Sequence, residues 1–427
     1  MSDASTTIPA SGWARLSGGF NRTFWVANTL ELFERFAFYG SKAILVVYLA
    51  DRVGLGPQLA GSLAGLFSGV LYSLPILAGT VVDRYGFRKS LATCFGLFCV
   101  GYFLIGLAGL EWGQSIVTVI GHKPYVISVL LLTAIGGSLI KPCIVGTVAR
   151  TSRPEVRSLG FSIYYMLVNI GGAIGPMLAL QVRQNLGIEY VLVMSSITSG
   201  LLLVGTLLFF REPEKDPDEK PPTSMTRVLR DMLLVFRNGR FIAFLVIFSG
   251  FWIMFWQIFY SLPFYLLHVL KFERFELIET VDAWGIILLT VPVTALVKRW
   301  RPMLAMSLGF ALASASWLLI VAAPTWQIVV VAIAIFALGE AMQAPRFYEY
   351  VANLAPREQV GTFMGFAFLP VAIGSFVGGP LGGKLVQHFL HDTANPAGMW
   401  WTISGIGFAS TLLMIAYDRL LAANPKA

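Results

Sequence analysis

Charge is scarce in this chain. Lys, Arg, Asp and Glu make up 13% of its 427 residues, against about 25% in a soluble domain. With 56% hydrophobic residues and a mean hydropathy of +0.72, this excludes a water-soluble enzyme and predicts a membrane protein of many spans. Cysteine is scarcer still. The three present, Cys94, Cys99 and Cys143, lie inside apolar runs, which leaves no disulfide framework or zinc pattern. His388 and His391 stand at i, i+3 before Asp392 in a predicted outer loop, without a convincing third ligand, so no metal site is expected. A phosphate-binding glycine loop, a nucleophile elbow and a catalytic histidine constellation are all missing, so an enzyme is not expected. The net charge of +8 comes from 31 bases against 23 acids. Most of the bases fall in short loops between apolar runs, so topology explains the excess and nucleic acid is not an expected partner.

Twelve apolar runs are present, near 24–50, 58–82, 90–110, 124–149, 158–181, 188–210, 241–267, 276–298, 303–323, 325–352, 360–388 and 399–420. The predicted fold class is an all-α integral membrane protein. It comprises a polar segment (1–23), a six-helix half (24–210), a linker (211–240), a second six-helix half (241–420) and a tail (421–427). The polar start lacks the apolar core of a signal peptide. Basic loops around Asp83-Arg84…Arg88-Lys89, Arg150…Arg157, Lys298…Arg301 and Arg357 fall on one side when the first segment is inside. Both ends are therefore expected in the cytoplasm, with the chain in a cell membrane. The linker opens with Arg211 to Pro222, charged, proline-rich and not expected to pack. Thr226 to Arg237 then alternates like a short amphipathic helix on the membrane surface. Six spans plus six is the layout of a carrier whose halves close around a midplane site. Pro75, Pro142, Pro176, Pro263, Pro292, Pro345 and Pro370 sit inside spans, where prolines kink helices.

The first run holds Glu31-Leu-Phe-Glu34-Arg35-Phe-Ala-Phe38-Tyr39-Gly-Ser-Lys42. On a helix, positions 31, 34, 35, 38, 39 and 42 share one face. Each charge at the centre of a bilayer costs roughly 2.5–3.5 kcal/mol, so four facing lipid would cost about 10 kcal/mol or more. The stripe must face protein or a watery cavity, as part of a substrate or ion pathway, as an ion-pair lock between helices, or as both.

Two further buried charges are predicted, Lys141 before Pro142 in span four and Glu340 in span ten. A zwitterionic solute could bridge them, its carboxylate toward Arg35, Lys42 and Lys141 and its amine toward Glu340. The alternative is pairing inside the protein, Lys141 with Glu31 or Glu34 and Glu340 with Arg346. Tyr165 and Asn169 share a face of span five, where they suit hydrogen bonding to a polar solute or between helices. Arg346 and Glu349 read as a surface pair.

After span two comes Gly79-Thr-Val-Val-Asp83-Arg84-Tyr-Gly86-Phe-Arg88-Lys89, which resembles the loop signature of the major facilitator superfamily and its clasp between neighbouring helices. Glu31-x-x-Glu34-Arg35-Phe36 with Tyr39, Lys141-Pro142, Phe161…Tyr165…Asn169-Ile-Gly171, and Gly339-Glu340 followed by Pro345 together resemble the proton-dependent oligopeptide transporter family within that superfamily. The resemblance implies a twelve-helix major facilitator fold and proton-coupled symport of di- and tripeptides, with protons as the coupling ion, no cofactor, the bilayer as partner and a monomer as the working unit. By the same resemblance Glu31, Glu34, Arg35 and Lys141 take part in proton coupling. Arg35 and Lys141 face the peptide carboxylate, Glu340 holds the amino terminus, and Tyr39, Tyr165 and Asn169 line the site.

The sequence departs from the family pattern at four places. Lys42 replaces a usual arginine, keeping the charge without the bidentate fork. Trp256 stands where the family has a glutamate tied to gating and proton movement. Ala344 replaces a serine, and the linker has no room for an extra helix pair. Coupling then falls to the first span, alone or with Asp282 of span eight, which could equally be an interfacial surface residue. The alternative function is a same-fold carrier of another small solute, such as an organic anion, a nitrate-like ion or a drug, without proton coupling.

Overall fold

The apolar runs become helices because a bilayer leaves no partner for an unpaired backbone amide, and a helix pairs its own. In the computed structural model, which describes residues 19–214, 225–354 and 360–422, twelve long helices follow one another. They are α1 (Arg22–Val47), α2 (Gly56–Ser73 continuing as Pro75–Tyr85), α3 (Phe87–Leu107), α4 (His122–Thr151), α5 (Pro154–Asn185) and α6 (Ile188–Phe209). The second set is α7 (Gly239–Val269), α8 (Phe275–Val297), α9 (Pro302–Ala322), α10 (Trp326–Leu354), α11 (Phe363–Asp392) and α12 (Pro396–Leu420). At about 1.5 Å per residue, the shortest of the unbroken crossings spans about 30 Å, the thickness of a hydrocarbon core. Ten helices, and bent α2 as an eleventh, are apolar enough to cross a membrane. The exception is α1, in which every 18-residue stretch contains Glu31, Glu34 and Arg35.

The expectations for 1–18, the Pro-rich stretch within 215–224, the Arg357 loop and the last residues of the tail fall outside the described residues. Within them, the expectation that the start of the linker does not pack fails at Glu212. Its carboxylate accepts the backbone N–H groups of Phe87 (2.7 Å) and Arg88 (2.8 Å), capping the first turn of α3. An acid there neutralises the unpaired N–H groups of a helix start. Gly86 precedes that turn at φ +89°, a conformation that requires glycine, and a Cβ on it would sit 2.9 Å from Glu212 Oε1 and press on the capping carboxylate. In the loop motif, Arg84 lies over the Tyr85 ring, the Arg88 guanidinium donates to the Leu207 carbonyl, and Gly79 has open space around it. The amphipathic linker helix (Met225–Phe236) touches both α2, where Thr80 donates to the Met225 sulfur at 3.7 Å, and the start of α11, where the Phe236 and Phe366 rings meet edge to face.

Helices α1 to α6 pack among themselves, as do α7 to α12. The two sets meet mainly where α2 lies on α11 and α5 lies on α8. The loops and the linker helix mark a linker end; the turns after α1, α3, α5, α7, α9 and α11 mark a far end. At the far end α2 and α11 touch backbone to backbone. A Cβ on Gly379 would lie 2.4 Å from Gly65 Cα and 2.5 Å from the Gly61 carbonyl. Ser375 donates to the Gly65 carbonyl (3.0 Å), and the Tyr260 hydroxyl donates to the Ala64 carbonyl (3.2 Å). Arg183 at the end of α5 pairs with the fully buried Glu276 of α8, a further tie between the two sets, while Arg52 pairs with Glu189 at 2.9 Å within the first set. The far end is therefore closed.

Gly379→Val is expected to destabilise this closure by about 1–3 kcal/mol through overpacking. In a background lacking the native cysteines, Ser375→Cys is buried between the halves. Adding Gly379→Val should raise its labelling by a membrane-impermeant maleimide severalfold, and equal labelling would contradict the seam as drawn.

Candidate functional site

Four charges of the α1 stripe are almost fully buried, Glu31 and Glu34 at 1%, Arg35 at 3% and Lys42 at 5% exposure. Arg35 serves both acids. Its Nε hydrogen-bonds to Glu34 and lies 3.3 Å from Glu31 Oε1, and its guanidinium stands 4.9 Å from the centre of the Phe38 ring. Gly171 makes the room, since a Cβ there would fall 2.2 Å from Arg35 Cβ. That is the physical reason for glycine two residues after Asn169 in α5. One guanidinium for two carboxylates leaves both Glu31 oxygens and Glu34 Oε1 without a hydrogen-bond partner. Arg35 does not line the cavity between the halves; Tyr39 and Lys42, farther along the same helix, do.

That cavity encloses about 220 Å³. It is built where helices break. α2 bends by 49° at Leu74, before Pro75; α4 is interrupted at Leu139, before Lys141-Pro142; α7 breaks at Trp256; α11 breaks before Leu369-Pro370. Proline removes an amide donor and clashes with the preceding turn, so the breaks before Pro75, Pro142 and Pro370 follow from the sequence, whereas the break at Trp256 has no proline beside it. They deliver Tyr72, Lys141, Trp256 and Phe368 to the cavity wall.

The bases come from the first half. Lys42 points its ammonium at the face of Trp256, 3.4 Å from the ring centre, with Phe259 at 4.9 Å. Lys141 lies 4.5 Å from the centre of the Phe368 ring and 5.1 Å from that of Tyr72. Such contacts are worth about 0.5–2 kcal/mol each. Among the described residues neither lysine has a carboxylate oxygen within 4 Å, so the pairing of Lys141 with Glu31 or Glu34 is not made.

The acids come from the second half. Glu340 lines the cavity with Oε2 unpartnered. Its expected pairing with Arg346 is absent, because Arg346 bonds to Glu349 and to the Trp300 carbonyl. Asp282 lines the cavity too, with Oδ1 unpartnered, and is not a surface residue. Sequence reasoning missed Glu279, which is 3% exposed, faces the cavity and has neither oxygen hydrogen-bonded. The available signal was spacing. Glu279, Asp282, Ala283 and Ile286 form one i, i+3, i+4, i+7 stripe of α8, and all four line the cavity.

Of the remaining expected residues, Tyr165 and Asn169 are in the wall, and the Asn169 amide donates to the Tyr165 carbonyl at 2.8 Å, within α5 rather than between helices. Trp256 stacks on Tyr260, and its indole donates to the Val371 carbonyl at 3.0 Å, tying α7 to α11. The exposed wall residues are Tyr165 and Tyr348, toward the linker end, so the cavity is reached from that side while the far end is shut. His391 lies edge to face with His268, which stands 3.8 Å from Asp51. Among the described residues no group of three or more His, Cys, Asp or Glu side chains is arranged to hold a metal.

Known proteins resemble this chain. The multidrug resistance protein MdtH of Salmonella newport (strain SL254) is 24% identical over 374 residues, covering 87% of this chain and 88% of that protein. A solved structure of a POT family transporter in complex with 5-aminolevulinic acid superposes with a TM-score of 0.77 at 19% identity, over 93% of this chain and 96% of that one. The peptide transporter POT in complex with sulfate gives 0.74 at 19% identity, over 97% and 99%. At such identities these structures share the fold. The sequence itself matches the profile described as Major Facilitator Superfamily over residues 29–279 and 271–427, so the chain belongs to the major facilitator superfamily.

Proposed function

We propose that the chain is a secondary active transporter that carries small peptides or similar zwitterionic solutes together with protons by alternating access. The observation that carries this reading is the division of charge across the cavity. Lys42 and Lys141 of the first half face Glu279, Asp282 and Glu340 of the second, and none of the five forms an ion pair within 4 Å among the described residues. Unpaired charges in such a place are costly unless a ligand completes them. A carboxylate toward the lysines and an ammonium toward the acids would do so, and would draw the halves together. Glu31 and Glu34 share one guanidinium, so one carboxyl group is available to take up and release a proton as that arrangement changes. Transfer between sides would proceed by opening the glycine seam of α2 and α11 while the linker end closes. We place the linker end and both chain termini in the cytoplasm of a cell membrane, on the distribution of loop bases, and take the monomer as the working unit.

A second reading is a carrier of apolar, drug-like solutes. The aromatic wall of Trp252, Phe255, Trp256 and Phe259, and the likeness to a multidrug resistance protein, favour it. The deciding experiment is counterflow. Liposomes containing only this protein, preloaded with dialanine, should exchange it for labelled dialanine at least tenfold faster than protein-free liposomes. Folded protein that exchanges no dipeptide would overturn the proposal and leave the second reading.

A further inference from the structure

The cavity holds more acid than a plain zwitterion can use. Two lysines face three carboxylates, and a zwitterion adds one charge of each sign, so one acid is left over. The surplus lies on α8. Glu279 and Asp282 stand one turn apart, about 4.5 Å along the helix axis, on the stripe that faces the cavity. Glu279 is buried with both oxygens unpartnered, Asp282 with one. A buried carboxylate without a donor is expensive, and in a cavity wall its missing partner is a ligand group. The same cavity wall carries aromatic rings, Phe255 and Phe259 of α7 and Tyr39 of α1. An aliphatic stem can lie along such rings while its charged tip reaches the acids.

We infer that Glu279 and Asp282 form a second cation-binding position beside Glu340, and that the site selects solutes carrying a second amino group, such as small peptides with a basic side chain. This deepens the zwitterion reading and rests on it. Glu340 takes one ammonium group, the two lysines take the carboxylate, and the side-chain ammonium donates to the α8 acids. Asp282 and Glu279 are thereby specificity-determining residues, and removing either should alter the choice between peptides.

The test is competition against labelled dialanine in the exchange assay, comparing Ala-Lys with the same dipeptide acetylated on the lysine Nε. The acetylated form keeps the length and the stem and loses the charge. Ala-Lys should compete at a concentration at least tenfold lower. In Asp282→Asn or Glu279→Gln the ratio of the two competitors should fall at least threefold, and in the double variant it should approach one. Equal competition in the wild-type protein would overturn the inference, as would a tenfold preference that persists in the double variant. Exchange of dialanine without preference between the competitors sinks this inference alone. Absence of any dipeptide exchange sinks the zwitterion reading and this inference with it.

Discussion

Arg35→Ala is expected to reduce gradient-driven uptake at least a hundredfold, to the level of protein-free liposomes. Arg35 is the cation for two almost fully buried carboxylates, and Gly171 of α5 is pressed against its Cβ. Alanine would leave Glu31 and Glu34 side by side without a base. Breaking a buried pair in this way costs about 3–5 kcal/mol, and a hundredfold change in an equilibrium corresponds to about 2.8 kcal/mol. The carboxylates would have to hold protons or draw water into the bundle, and either removes the exchange of a proton between alternative partners on which the proposed coupling depends. Arg35→Lys keeps the charge and loses the Nε–H through which Arg35 meets both acids, so it should fall between wild type and alanine. The measurement is initial uptake rate per correctly inserted molecule. A wild-type rate in inserted Arg35→Ala protein would count against the whole assignment.

Glu340→Gln is the second large effect. Its carboxylate lines the cavity opposite Lys42 and Lys141, with Oε2 unpartnered and Arg346 engaged elsewhere. In the proposed role of acceptor for the solute's terminal ammonium, it would make a hydrogen bond between charged groups, worth about 1.5–3 kcal/mol. Its loss should raise KM for dipeptides with a free amino terminus about tenfold to hundredfold. For the N-acetylated counterpart the same substitution should change KM by less than threefold, because that solute has no ammonium to lose. Uptake of every transported peptide at unchanged KM would remove the amine-anchor role.

The legible part of this site is the part in which charge interrupts an apolar run. Glu31, Glu34, Arg35, Lys42, Lys141 and Glu340 stand out because a membrane helix tolerates such residues only at a purpose. The proline breaks were legible in the same way, although which break bends a helix by 49° depends on neighbours that sequence does not name. Glu279 was not legible as a site residue. It follows Glu273 and Glu276 so closely that it reads as the polar edge of a span, and only the closure of the far end, with α5 and α1 packed over α8, buries it. The ring box around Lys42 is a tertiary product of α1, α2 and α7 and leaves no local pattern. Glu212 was hidden by its company, since a charged, proline-rich stretch gives no sign that one carboxylate caps a helix more than a hundred positions earlier.

In the proposed mechanism a charge-divided cavity and an acid-rich α1 together couple a small zwitterion to protons, with a tryptophan at position 256. The most direct test is dialanine uptake into liposomes containing only this protein, with and without an inward proton gradient. Accumulation against the solute's own gradient is expected, at least tenfold faster with the proton gradient than without, and it should collapse when a protonophore is added. Uptake at the same rate with and without the gradient, from protein that exchanges dialanine normally, would contradict it and leave a carrier that is not coupled to protons.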